Sequence, residues 1–171
     1  MGQFLGSHIL MGIIKQPTIS QHWGRATRFP LIADVMSRDR FKTLRRFFHA
    51  NDSHLAVLKG QDGYDSLFKL RPVIDGLQVN LKKIPAEERQ RIDEQMVPYK
   101  GKLSFKQYLK DKPNSWGIKI FSRAWASGII YDFEVYTGKG SVPINELGRG
   151  AEVVLRLAEM IPRNENFKLF F

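Results

Sequence analysis

The hydrophobic period changes near Gln90, and this change restricts the fold more than any other feature of the chain. Before it, apolar residues recur at helical spacing. Phe41, Leu44, Phe47 and Phe48 share one helical face, and Leu67, Leu70, Ile74, Leu77 and Leu81 share another. Phe4 to Ile14 forms a further apolar segment, ended by Lys15-Gln16-Pro17. Pro30 suits the first turn of a helix through Leu31, Ile32, Val35 and Met36, and Ser37 is placed to cap the next one. Arg38, Arg40, Lys42, Arg45 and Arg46 fall largely off the apolar face of that helix. Asn51 to Asp65 reads as a polar loop with Gly60 and Gly63. Pro72 lies close enough to the start of the 67–81 helix to be tolerated, and Pro85 follows its end.

After Gln90 the apolar residues come in short β-branched and aromatic runs. Arg91–Pro98, Gly117–Trp125 and Ile129–Thr137 read as strands, the last two joined at Ala126-Ser127-Gly128 as a hairpin. The Gly138-Lys139-Gly140 loop precedes a helix marked by Leu147, Ala151, Val154, Leu155, Ala158 and Ile161, which Pro162 ends. Phe167 to Phe171 opens one more strand. The order is helices, then β-β-β-α-β, an α+β chain. The expected division is a helical region, 1–88, and a sheet region, 89–171, with a soft boundary at Ile84 to Glu88. Because the chain stops inside an apolar run, it reads as a fragment cut within a central strand, ahead of the alternative of a C-terminal edge strand.

The 171 residues fit one domain, or one with an appendage, and a hydrophobic fraction of 43% supports a core. Lys and Arg number 27 against 17 Asp and Glu, a net charge of +10. That excess suits a polyanion, nucleic acid ahead of a membrane surface, and equally a basic protein with no such partner. The absence of cysteine excludes disulfides and thiolate metal sites. The start, MGQFLGSHILMGIIK, lacks a basic n-region and is too short to span a bilayer, and Gly6 breaks the myristoylation pattern. A soluble intracellular protein is expected.

Asp93 and Glu94 are the unusual residues. Alternation puts Ile92 and Glu94 on one face of the first strand and Asp93 and Gln95 on the other. A mid-strand carboxylate is costly to bury unless paired or bound to a cation. Strand carboxylates hold the cations of two-metal phosphoryl-transfer sites; a strand-end acid paired with Arg91 or a lysine is the simpler alternative. A basic run with aromatics follows: Lys100, Lys102, Phe105, Lys106, Tyr108, Lys110 and Lys112. It can meet phosphates with its aromatics stacked or anchored, or be a solvated loop pinned by Phe105 and Tyr108. His8, His22, His49 and His54 lack the partners of a zinc site, and Trp23, Trp116 and Trp125 read as packing anchors.

The blocks IDEQ, PYKGK, KQYL, KP, WGIKIF and YDFEVYTG, in that order between Arg91 and Gly140, resemble the piggyBac transposases and the host proteins derived from them. Upstream, LMGIIKQPTISQHW and FPLIADVMSRDRFKTLRRFFHAND resemble the same family, so the likeness covers nearly the whole chain. The resemblance implies DNA transposition by a DDE/D mechanism on an RNase H-like fold, whose opening elements match the β-β-β-α-β order. It implies that Asp93 is the first catalytic, metal-holding acid. It also implies Mg²⁺ or Mn²⁺ as cofactor, double-stranded DNA as partner, a homodimer in the full-length parent and the nucleus as location. The family's second and third acids would follow FKLFF, beyond Phe171, so the chain alone is expected to be inactive. Asp132 and Glu134 are expected to be solvated on the hairpin's outer strand, away from the metal site. Lys100, Lys102, Lys106, Lys110 and Lys112 are the expected phosphate contacts. A domesticated DNA-binding protein and a decayed gene fragment are the alternatives.

Overall fold

Ser37 caps its helix as its position predicts, its hydroxyl accepting the Arg40 N–H at 3.3 Å. The structure is a computed structural model that describes residues 1–125, 127–138 and 148–171, the Arg149 side chain excepted. Ala126 of the expected hairpin turn, Lys139-Gly140 of the expected loop and Leu147 of the expected helix lie outside the described residues. The chain forms two compact units, 1–49 and 50–171.

The first unit contains α1 (Gly2–Ile13), a 3-10 turn (Ile19–Trp23), α2 (Pro30–Ala33) and α3 (Arg38–Phe47). Its centre is aromatic. Phe4 lies 5.4 Å from Phe41 and 5.7 Å from Phe48, ring to ring, and His8 stacks on Phe41 at 4.8 Å. Trp23 packs on Phe41 at 5.3 Å while its indole N–H donates to the Met36 carbonyl at 2.8 Å. Trp23 is therefore the anchor it was expected to be. Phe47 is not on the core face: six residues beyond Phe41, it is turned more than half-way round the helix and is exposed. The basic residues of α3 are all exposed.

The second unit contains α4 (Arg71–Leu81), β1 (Arg89–Pro98), β2 (Gln107–Tyr108), β3 (Trp116–Ala124), β4 (Ile130–Val135), α5 (Gly148–Ala158) and β5 (Lys168–Phe170). Helix α4 begins at Arg71 rather than Leu67. Asp65 holds the preceding residues in turns, accepting the Leu67 N–H at 2.9 Å and the Arg71 guanidinium at 2.7 and 2.8 Å. Pro72 then sits in the first turn, where its missing N–H costs nothing.

β1 and β3 pair antiparallel from Arg91↔Ala124 to Pro98↔Gly117. β4 pairs antiparallel with the second half of β3, with an irregularity at Arg123/Ala124, and β2 pairs with the start of β3. β5 runs parallel to β1, from Arg89↔Lys168 to Arg91↔Phe170. On one face Ile92 packs with Val153 and Leu157 of α5, flanked by Phe121, Tyr136 and Leu169. On the other, Ile118, Ile120 and Phe133 share an apolar groove of about 600 Å³ with Leu67, Ile74 and Leu77. Gln78 of α4 donates to the Phe133 carbonyl at 2.8 Å and to Asp132 at 3.2 Å. Helix α4 thus packs with the sheet, so the compact units divide earlier than the change of secondary structure on which the 1–88 and 89–171 division rests.

Two outcomes test this architecture. A Cβ at Gly117 would run into the Val97 carbonyl across the β1–β3 pair. Gly117→Ala is expected to lower stability by about 1–3 kcal/mol, read by denaturant unfolding, because backbone on both sides must shift. The Arg71 hydrogen bond holds the Asp65 carboxyl below its ordinary pKa of 3.8. A depressed carboxyl stabilises the fold above its unfolded pKa and loses that contribution as pH falls through the folded value. Asp65→Asn is therefore expected to cost about 1 kcal/mol at pH 7, with the gap to the parent chain closing in acid.

Candidate nucleic-acid interface and acidic site

Because Ile92 is locked into the α5 face, Asp93 must point to the other side of β1. There its side chain is 59% exposed, with one carboxylate oxygen 3.5 Å from the Arg91 guanidinium. The other oxygen accepts the Glu94 backbone N–H at 2.8 Å. The strand segment is not buried on both faces, so the acid escapes the desolvation cost that burial would bring. Asp93 stands opposite Ser122 of β3. Both line an open hollow of about 830 Å³ with Arg89, Arg91, Trp125 and Phe170.

Among the described residues no three His, Asp or Glu side chains come together as a metal-binding group. Among the described residues Asp93 is the one acidic side chain lining its hollow. A divalent cation there would find a single carboxylate from these residues, so they do not by themselves form a two-cation site. Glu94, on the opposite face, pairs with Lys119 and lies 3.9 Å from Lys112. Lys119 also stands 4.6 Å over the Phe121 ring. Glu94 is thus committed to structural pairs.

Asp132 and Glu134 are away from Asp93 on β4, but they are not solvated. Asp132 is buried, 3.5 Å from Lys82 and bonded by Gln78. Glu134 takes the Arg156 guanidinium at 2.6 Å, and burial pushes its carboxyl above the ordinary range despite that pairing. Both acids fasten helices to the sheet edge: Asp132 holds α4, and Glu134 holds α5. Arg123, also buried, donates to the Gln90 side-chain carbonyl.

The basic run occupies the connection from β1 to β3. Lys100, Lys102 and Lys110 are exposed on it. Lys106 donates to the Gly101 carbonyl at 3.1 Å and stands 5.1 Å over the Trp116 ring. Lys112 is tied back to β1, 3.4 Å from the Glu94 carbonyl. Phe105 is the buried anchor of this connection. Tyr108 and Trp116 are not anchors. They are a cross-strand pair on β2 and β3, 53% and 55% exposed, with ring centroids 4.9 Å apart. Trp125 is half-buried beside the Asp93 hollow. The two-residue strand β2 was missed because it is too short to show a period, and without it nothing marks Tyr108 and Trp116 as partners. Lys100, Lys102 and Lys106 lie beyond the Pro98 end of β1, whereas Lys112 reaches back to Glu94, next to Asp93. Five residues of strand separate Asp93 from Pro98, roughly 17 Å.

His8 approaches the Phe4 carbonyl at 3.2 Å, and His22 is buried. No helix among the described residues is long and apolar enough to cross a membrane.

A family model described as Transposase IS4 matches residues 1–171. The chain is 34% identical over 162 residues to PiggyBac transposable element-derived protein 3 of Homo sapiens, covering 92% of this chain and 26% of that protein. It is 29% identical over 161 residues to PiggyBac transposable element-derived protein 2 of Homo sapiens, covering 92% and 26%. The chain thus spans about a quarter of the length of these curated relatives. Among solved structures it resembles a cryo-EM structure of a piggyBac transposase synaptic complex with hairpin DNA. The TM-score is 0.81 at 21% identity, covering 98% of this chain and 40% of that one. That likeness is one of fold, and it makes the mixed sheet with α5 on one face RNase H-like. DDE transposases in general use divalent cations. The blocks around Asp93, the family match along the whole chain and the shared fold agree: the chain belongs to the piggyBac-type DDE transposases and the proteins derived from them.

Proposed function

We propose that these 171 residues supply a DNA-contacting portion and the first acid of a piggyBac-type DDE protein, whose parent reaction is DNA cleavage and strand transfer. The observation that carries this is the placement of Asp93. It is held in the open on β1, beside Arg89 and Arg91 in one hollow, while its neighbour Glu94 is tied up in lysine pairs. Asp132 and Glu134, by contrast, are taken up in holding α4 and α5 to β4. The arginines give the hollow the sign that suits phosphates, and the lysine connection extends the basic surface along β1. Duplex DNA is the proposed partner and the nucleus the proposed location, with a second copy of the chain in the full-length parent.

In a complete DDE site the acids hold Mg²⁺ or Mn²⁺, and Asp93 is proposed as the first of them. The described residues bring one carboxylate to that place, which leaves two divalent ions without compensating charge. Accordingly, no cleavage step is assigned to these residues alone. The same observation favours a second reading, a non-catalytic DNA-binding protein of transposase descent.

Binding and cutting are separable in one set of assays. The 171-residue chain is expected to bind labelled duplex weakly and with little sequence preference, at micromolar or weaker Kd in physiological salt. Replacing Lys100, Lys102 and Lys106 with Ala should weaken binding several-fold and reduce the salt slope by about two to three. Unchanged affinity in the triple variant removes this connection from the interface. With Mg²⁺ or Mn²⁺ added, no nicking or joining of a labelled duplex is expected. In a longer chain that also supplies the downstream acids, Asp93→Asn should abolish cleavage, since the amide keeps the shape and loses the charge, while Glu94→Gln should be milder. Metal-dependent cleavage by the 171-residue chain, or full activity in the longer Asp93→Asn chain, refutes the assignment.

A further inference from the structure

We propose that Tyr108 and Trp116 form a stacking platform for an unpaired nucleobase of a nucleic-acid strand. This deepens the DNA-contacting reading above and rests on it. The two residues face each other across the β2–β3 pair, with their rings 4.9 Å apart and inclined at 45°. Each residue is more than half exposed to solvent. Large aromatic surface left open as a pair suits a partner more than it suits the fold, because aromatic rings dominate burial energetics wherever they can be covered.

The surroundings select the chemistry. Trp116 lines a hollow of about 510 Å³ with Tyr99, Lys100, Lys106, Pro113 and Asn114. No carboxylate lines this hollow among the described residues, and two lysines do. Lys106 is fixed over the indole by the Gly101 carbonyl, so a cation and an aromatic face are offered together. An acidic strand with flat rings matches both features: its phosphates meet Lys100 and Lys106, and its base meets the rings. A proline-rich peptide would use the aromatics but leave the lysines without counter-charge.

A duplex keeps its base faces stacked on one another. Only an unpaired or extruded base can present a face to Trp116, at an unstacking cost that is least for a strand already single. The platform therefore discriminates paired from unpaired nucleic acid without reading sequence, since every base has a π-face. It lies at the opposite end of β1 from Arg89 and Arg91, so a strand held there is engaged apart from the Asp93 hollow.

Three fluorescently labelled probes test this by anisotropy: a short single strand, the same strand with its central bases removed to leave an abasic backbone, and the matched duplex. The proteins are the 171-residue chain and its Tyr108→Ala, Trp116→Ala and Trp116→Phe variants, each first checked for an unchanged melting temperature. The parent chain is expected to bind the intact strand roughly tenfold more tightly than the abasic one. Trp116→Ala should lose about that factor on the intact strand, with Trp116→Phe restoring most of it, and both should alter duplex binding by less than about twofold. Equal losses on strand and duplex, or equal affinity for intact and abasic strands, overturns the platform. Failure to bind the single strand at all overturns it too. Failure of the parent chain to bind duplex, with the strand preference intact, overturns instead the reading of the lysine connection as a duplex contact.

Discussion

The packing of Ile92 against Val153 and Leu157 governs the second unit. A strand side chain has only two directions, and one buried contact fixes them all. With Ile92 toward α5, Gln90 and Glu94 go the same way, and Asp93 must face out. A slip of one residue would place Asp93 among Val153 and Leu157, where a bare carboxylate is strongly disfavoured. The long pairing of β1 with β3 then carries this choice across the sheet, setting Phe121 and Arg123 on the α5 side and Ser122 beside Asp93. An apolar contact one residue away thus decides that Asp93 stands in the open.

The α5 face of the sheet is unusually polar. Gln90, Arg123 and Asp132 are all buried there, and Glu134 is half-buried. Each is matched, Arg123 with Gln90, Asp132 with Lys82 and Gln78, and Glu134 with Arg156. Such groups add little net stability over apolar packing, yet each is costly to leave single. They commit α4 and α5 to particular places against β4, which apolar surface alone specifies less sharply.

Features carried by periodicity were legible in the sequence. The change near Gln90, the cap at Ser37, the three long strands and the placing of Asp93 on the face opposite Ile92 all follow from spacing and local hydrogen-bonding chemistry. Features decided by long-range pairing were not. Asp132 and Glu134 sit on an outer strand, where alternation alone says solvent; the side chains that hold them, Gln78, Lys82 and Arg156, come from positions more than twenty residues distant. Trp116 reads as a core residue by type, and only its pairing with a two-residue strand brings it out. The start of α4 was misplaced because Asp65, lying ahead of the apolar repeat, takes up the N–H of Leu67 and the side chain of Arg71.

The connection from β1 to β3 is held shut along its length. Phe105 is sunk into the unit, Lys106 is fastened to Gly101, the Leu109 N–H donates to the Ser115 carbonyl at 2.8 Å, and Lys112 returns to Glu94. A segment of this length left loose would lose much of its freedom on meeting a partner, and the affinity would fall by that amount. Here the ordering is completed during folding. The backbone that carries the exposed lysines and the aromatic pair is thus fixed before any partner arrives, and one of its tethers is the same Lys112 whose charge is partly neutralised by Glu94.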